Sequence, residues 1–201
     1  MGFGTVCYFC KSTCKYRFCL DCLAELSPEY RYLPVFPNIS LGGYLFDYTA
    51  TFKYVISEIK FSGNYRLGEW FRLLNYEAKI PEIYLDVDYI ISVPSFWFKQ
   101  IIRGRQHIPY LFENWLTCGV QGAGMIRRRQ WNRSSYKLNR KEREKNAKQQ
   151  RFCWKGPTSV QRITLLDDIC TTGATIIEIS RLLKSFGVKD IYVLCLSYRS
   201  M

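Results

Sequence analysis

Histidine is almost missing from this chain. His107 is the only one in 201 residues, and with no second histidine to partner it, it is assigned no role. Long apolar runs are missing too. No stretch approaches the ~18 consecutive apolar residues of a membrane span. The first ten residues, MGFGTVCYFC, carry neither the basic start nor the apolar core of a signal peptide, so a cytoplasmic location is expected. Two phosphate-binding signatures are absent. There is no G-x-x-x-x-G-K-[ST] loop and no G-x-G-x-x-G fingerprint, which excludes the standard nucleotide and dinucleotide readings. Acidic residues are scarce, 17 against 29 basic ones, and the net charge is +12. Such an excess points to polyanionic partners without choosing among nucleic acid, a phosphorylated metabolite and anionic lipid.

What is present is a chain long enough for one full α/β domain and a small appendage. Its 48% hydrophobic and 23% charged content is ordinary for a globular protein. The charge is not evenly spread. Residues 127–151 hold eleven Arg or Lys and two Glu, a net +9 of the total +12. They show no clean apolar period and read as a long loop or mobile basic arm.

Apolar periodicity organises the rest. Leu41–Phe46 reads as a short strand after a linker containing Pro34 and Pro37. Phe52, Val55, Ile56 and Ile59 recur at helical spacing, as do Leu67, Trp70, Phe71 and Leu74. Asp88–Val93 is a strand stopped by Pro94. Ile108, Leu111, Phe112, Trp115 and Leu116 predict a helix with Pro109 in its first turn, where proline is tolerated. Ile163–Leu166 is a strand apolar enough for burial on both faces. Ile179, Leu182, Leu183 and Phe186 predict a helix closed by Gly187, and Ile191–Leu196 the next strand. Strand, helix, strand is a βαβ unit, so a doubly wound α/β fold is expected, with a mostly parallel sheet flanked by helices.

The stretch LLDDICTTGAT lies on that unit. It sets Asp167 and Asp168 at a strand's carboxyl end, where open α/β sheets bind ligands. Thr171, Thr172, Gly173, Ala174 and Thr175 then lead into a helix. The first N–H groups of that helix have no internal partners and attract phosphate. Two carboxylates beside such a turn suit a phosphorylated sugar, with the acids on ribose hydroxyls and the turn on the 5′-phosphate. Ordinary N-capping explains one or two of these residues but not the ordered set.

The cysteines make a second cluster. There are nine, and five fall within residues 7–22. Cys7 and Cys10, with Cys19 and Cys22, form paired C-x-x-C turns that present four thiolates to one structural Zn²⁺. A redox pair or chance enrichment remains the alternative, and Cys14 falls outside the spacing. Cys118, Cys153, Cys170 and Cys195 lie singly, and roles as small buried hydrophobes suffice for them.

LLDDICTTGAT resembles the phosphoribosyl-pyrophosphate (PRPP) signature of type I phosphoribosyltransferases. Joined to a four-cysteine start, it resembles the ComF family of bacterial competence proteins over nearly the whole chain. The residues that carry this likeness are the cysteine pairs, Lys60–Gly63 (KFSG), Val93–Pro94, Arg103–Gly104, Arg143–Asn146 (REKN) and Asp167–Thr175. The chain departs from that pattern at RGRQH, where the family tends to RGFNQ, and at Asn132 and Ser135, where it often has Thr and Gln. The resemblance implies a zinc knuckle and linker over 1–37 and a phosphoribosyltransferase-like domain over 38–201, with a mobile basic arm at 127–152. It implies PRPP with Mg²⁺ as ligand, and Lys99, Arg103 and Arg105 as candidates for the pyrophosphate side. A solvated basic helix start is the other reading of those three.

The family further implies a cytoplasmic role in natural transformation, acting on single-stranded DNA. Arg127, Arg128, Arg129, Arg133, Lys137, Arg140 and Lys141 are then candidates for DNA phosphates, with Trp131, Tyr136, Phe152 and Trp154 stacking on bases. A loop that orders over PRPP is the competing reading. A transferase passing phosphoribose to an unidentified acceptor, with release of pyrophosphate, stands beside a PRPP-binding DNA-handling module, since fold alone does not decide. No base-reading hood is identifiable, although residues 24–45 or the knuckle could cover the site. The knuckle could equally dock a helicase or another DNA-uptake protein.

Overall fold

The computed structural model describes residues 5–14, 18–62, 65–94, 107–117, 119–128 and 152–200. Two short strands, β1 (Thr5–Val6) and β2 (Thr13–Cys14), pair antiparallel and precede α1 (Leu20–Ala24). Then come β3 (Arg31–Tyr32), β4 (Leu41–Asp47), α2 (Ala50–Ser57), a π turn (Glu58–Ser62) and α3 (Tyr65–Tyr76). After a single 3-10 turn (Glu82–Tyr84) follow β5 (Tyr89–Ser92), α4 (His107–Leu111), α5 (Glu113–Leu116) and β6 (Ile126–Arg128). The chain closes with β7 (Phe152–Trp154), β8 (Arg162–Cys170), α6 (Ala174–Ser185) and β9 (Asp190–Tyr198).

The central sheet runs β3-β4-β9-β8-β5. Strands β4, β9, β8 and β5 are mutually parallel, and β3 adds an antiparallel edge. The fold is therefore α/β with a mostly parallel central sheet, as expected. β8 and β9 occupy the centre because both are buried on both faces: Ile163–Leu166 and Ile191–Ser197 are runs without an exposed residue. On one side of the sheet Phe46, Phe52 and Phe71 pack with α2, α3, α4 and α5, the Phe46 and Phe71 rings 4.9 Å apart. On the other side Ile176, Ile179, Leu182 and Leu183 of α6 pack with Phe152 and Trp154. Each such side chain contributes about 1.5–3 kcal/mol on burial.

Local signals set the element ends. Thr49 caps α2, its Oγ1 accepting from the Phe52 N–H at 3.1 Å. α6 stops at Gly187, whose φ of +91° takes the left-handed conformation that ends helices.

Five expectations are corrected in detail. The helix expected over 108–116 is two short helices that break at Phe112. The strand expected over 163–166 continues to Cys170, so Asp167 and Asp168 lie within it rather than beyond it; Asp167 is in register with Cys195 of β9. The basic arm is not loop from its first residue, because Ile126–Arg128 pairs antiparallel with Phe152–Trp154. Phe152 and Trp154 are core residues, 3% and 7% exposed, and are not available to stack on bases. They fill the apolar space over α6, and that burial outweighs display to solvent. β3 lies in the stretch expected to be linker, yet it forms an edge of the main sheet.

Candidate functional site

At the carboxyl end of β8 an open cleft is lined by Asp167, Ile169, Cys170 and Thr171 through Ile176. The chain crosses from strand to helix there in three residues, Thr171–Gly173. Gly173 has φ +69°, and a Cβ at that position would come within 2.6 Å of the Phe36 ring. Both the backbone conformation and Phe36 thus demand glycine. Phe36 belongs to the 24–45 stretch considered as a cover, and it does reach this turn. The segment is held down by Ser180, whose hydroxyl donates to the Pro37 carbonyl at 3.3 Å.

No side chain caps α6, although the Ala174 N–H donates to Thr172 Oγ1 at 3.3 Å. Thr171, Thr172, Ala174 and Thr175 are exposed. A twelve-residue helix therefore points its positive end, hydroxyls beside it, into the cleft. That arrangement can accept an anion with several oxygens.

The two carboxylates have different surroundings. Asp167 lines the cleft. Burial and the neighbouring Asp168 charge push its carboxyl up to about 7, against the opposing pull of the Asp168 N–H and Lys60. The Asp168 N–H donates to Asp167 Oδ1 at 2.9 Å, and the Ile169 N–H to Asp168 Oδ1 at 2.7 Å. Asp168 is not among the lining residues. It forms an ion pair with Lys60 Nζ, both side chains only about one-sixth exposed. Lys60 was legible only as part of the KFSG segment and carried no assigned role. Nothing in the sequence couples it to an aspartate 108 positions away, and the π turn that delivers it is a geometry without a clear sequence signature. Such turns recur at functional sites.

The cysteine cluster is a second centre. The Sγ atoms of Cys7, Cys10, Cys19 and Cys22 all lie within 4.8 Å of one another. A tetrahedral ion with Zn–S bonds of about 2.3 Å sets its sulfurs roughly 3.8 Å apart, and Cys10 and Cys19 stand at 3.6 Å. The donor set therefore fits a metal ion such as zinc, with no ligand position left over for chemistry. The fold prepares the sulfurs. Burial opposes the Cys7 thiolate, but N–H groups of Cys19, Cys10 and Phe9 directed at its sulfur prevail and lower it to about 6. Cys19 caps α1, its sulfur accepting from the Cys22 N–H at 3.4 Å. Burial and the neighbouring thiols raise Cys22, so the metal must displace that proton. Cys170 and Cys195 are buried, as expected of small hydrophobes, while Cys153 is only partly so.

Of the basic candidates, Arg127 and Arg128 are exposed on β6. The Arg128 guanidinium lies 5.7 Å from the Phe152 ring centre, and Arg127 Nε donates to the Gly124 carbonyl. Arg129, Arg133, Lys137, Arg140, Lys141, Trp131 and Tyr136 lie outside the described residues. So do Lys99, Arg103 and Arg105, Gly63 and Arg143–Asn146. Among the described residues no helix is long and apolar enough to cross a membrane.

Comparison with known proteins adds to this geometry. No protein-family model matches the chain. Competence protein F of Haemophilus influenzae is 31% identical over 123 residues, covering 59% of this chain and 51% of that protein. Competence protein ComFC of Streptococcus pneumoniae is 31% identical over 148 residues, 73% of this chain and 63% of that protein. DNA utilization protein YhgH of Escherichia coli O157:H7 is 28% identical over 158 residues, 75% of this chain and 68% of that protein. The chain thus spans between half and two thirds of the length of the first two relatives. Its likeness to competence proteins, first read from motifs, is supported by relatives of that name at about the same identity, 31% and 31%.

Proposed function

We propose that this protein binds PRPP, carried with Mg²⁺, in the cleft at the end of β8, and that it serves DNA uptake in natural transformation from the cytoplasm. The observation that supports the ligand best is the cleft itself. It combines a half-buried carboxylate, exposed Thr hydroxyls and the uncapped start of α6 in one concave surface. Asp167 accepts from a ribose hydroxyl in this reading. The turn from Thr171 to Thr175, Gly173 and Ala174 included, holds the 5′-phosphate through N–H and hydroxyl donors. Asp168, tied to Lys60, orients the pair. Mg²⁺ offsets the charge of the pyrophosphate, and Lys99, Arg103 and Arg105 are its proposed protein partners.

The biological setting rests on the relatives' names, two for competence and one for DNA utilization. The DNA reading also rests on charge, since residues 127–151 carry most of the net +12. Single-stranded DNA is the proposed polyanion, held through phosphates by the basic arm. A helicase or another DNA-uptake protein is the kind of partner such a module would serve. Transfer of phosphoribose to an acceptor is the second reading. An acceptor-dependent release of pyrophosphate would identify it.

The test is calorimetric titration of PRPP with Mg²⁺ into the wild type and into Asp167→Asn/Asp168→Asn, with the folding of the variant checked. Saturable binding in the wild type that is lost in the variant is expected. A wild type that takes up no PRPP sinks this reading and leaves DNA binding through the arm as the leading function.

A further inference from the structure

The π turn between α2 and α3 delivers Lys60 to Asp168, yet none of its five residues is buried. Its only partly buried apolar side chain is Ile59, which packs against the core, while Phe61 is 71% exposed. Further hold comes from the cysteine knuckle. Tyr8 and Phe9, between the first two cysteines, and Phe18, beside the third, form an aromatic face. Phe9 stacks on Phe18 at 5.0 Å, and Phe18 stacks on Trp70 of α3 at 4.9 Å. Tyr8 and Phe9 each meet Tyr54 of α2 edge-on at 6.1 Å. The knuckle therefore grips the helix before the turn and the helix after it. It also touches the turn itself: the Tyr8 hydroxyl donates to Glu58 Oε2 at 3.4 Å, while Ser62 donates to Glu58 Oε1 at 3.1 Å.

The aromatic face rests on the core, but the segment that carries it buries few side chains of its own. Among the described residues from 5 to 26 the buried side chains are Cys7, Cys22 and Leu26. Its form thus depends on the four sulfurs being tied together, which is what a bound metal does. The chain of contacts runs from sulfur cluster to aromatic face, to π turn, to Lys60, to Asp168, to the cleft.

We propose that Lys60 is the positioning residue of the ligand cleft and that the metal-loaded knuckle braces it, so that loss of the metal frees Lys60 from Asp168 and weakens the cleft's hold on its ligand. The inference deepens the PRPP reading and rests on it for the ligand. The coupling between knuckle and carboxylates stands on the geometry alone. Facing Asp167 are Asp168 and Lys60, with the thiols of Cys170 and Cys195 close by. Withdrawing the Lys60 ammonium removes an attraction that favours the Asp167 carboxylate, so its titration moves to higher pH.

The experiment uses the full chain in reducing buffer, zinc-loaded and zinc-stripped, as wild type, Lys60→Met and Lys60→Arg. Two quantities are read: the ¹³C NMR titration of the Asp167 carboxyl without ligand, and calorimetric PRPP–Mg²⁺ affinity. Lys60→Met raises the Asp167 midpoint and weakens PRPP about tenfold. Lys60→Arg restores both. Zinc removal reproduces the Lys60→Met result in the wild type and adds nothing further in Lys60→Met. An Asp167 midpoint that ignores zinc removal in the folded wild type overturns the brace. A midpoint that ignores Lys60→Met overturns the positioning role. If stripping the metal unfolds the whole chain, zinc-loaded Phe18→Ala decides instead. It keeps all four cysteines and loses the stack on Trp70, and an unchanged midpoint in it overturns the brace. If the wild type takes up no PRPP, the ligand reading fails, and the carboxyl titration still decides the coupling.

Discussion

From Thr5 to Leu26 the described chain buries Cys7, Cys22 and Leu26. From Arg162 to Tyr198 it buries most of two nine-residue strands and one face of a twelve-residue helix. The first region has strands of two residues and a helix of five. Elements that short do not persist in water without outside help. Its order draws on an aromatic face laid on α2 and α3 and on four sulfurs placed where one metal ion could tie them together. The second region draws its order from backbone ladders and apolar burial, and it displays a cleft at its end. The difference separates a chemical staple from a packed core. The two should answer to different perturbations.

The largest expected effect is on the knuckle. Purified protein should carry near-stoichiometric zinc. Structural zinc in small domains contributes about 10–16 kcal/mol of apparent binding free energy at neutral pH. Chelation, or Cys22→Ser, should therefore expose the amides of residues 5–26 to hydrogen exchange within the fastest time points, while those of β8 and β9 stay protected. Equal loss of protection in both regions would break the comparison, because the core would then depend on the staple too.

A core substitution should show the converse. Leu165 is fully buried at the centre of the sheet. Leu165→Ala removes its methyl groups and leaves a cavity, a loss of about 2–5 kcal/mol. Urea denaturation should register that loss, and the zinc content of the folded fraction should stay the same. Zinc released at urea concentrations well below the unfolding midpoint of either protein sharpens the comparison, since it marks the knuckle as an independent unit.

These contrasts were unevenly legible in the sequence. The paired C-x-x-C spacing revealed the sulfur cluster because four thiolates on two tight turns have few other uses. The core of the βαβ unit was legible because Ile179, Leu182 and Leu183 keep the helical period and Ile163–Leu166 is an unbroken apolar run. The extension of β8 through Asp167 to Cys170 was not legible. Aspartate is disfavoured in strands, and only pairing with β9 keeps it there. Strands β3, β6 and β7, of two and three residues, are too short to show any period. Trp154 and Phe152 adjoin the basic arm and looked available to bases, but their aromatic area is better satisfied against α6. Lys60 escaped because an ion pair spanning 108 positions leaves no trace in local spacing.

The smallest effect concerns a carboxylate at the opposite end of β8 from the cleft. Asp88 Oδ2 accepts the N–H groups of Gln161 at 2.6 Å and Arg162 at 2.9 Å, where β8 begins beside β5. Those two N–H groups hold its carboxyl below the usual carboxylate range, with the Arg162 charge assisting against partial burial. A group depressed in the folded state contributes stability above its unfolded pKa of about 3.9, and that contribution fades as pH falls through the folded value. Asp167 has the opposite sign. Raised to about 7, it binds its proton more tightly when folded, so it costs stability as pH climbs toward neutrality. Asp88→Asn keeps an oxygen acceptor and removes the charge. It should cost about 1 kcal/mol near pH 6, because these bonds lie near solvent. The gap to wild type should narrow as pH falls below about 4. Urea midpoints measured from pH 3 to pH 6 read this directly. A gap that stays constant across that range would mean that Asp88 acts through shape rather than charge, and the staple and the core would then differ in packing alone at this end of the sheet.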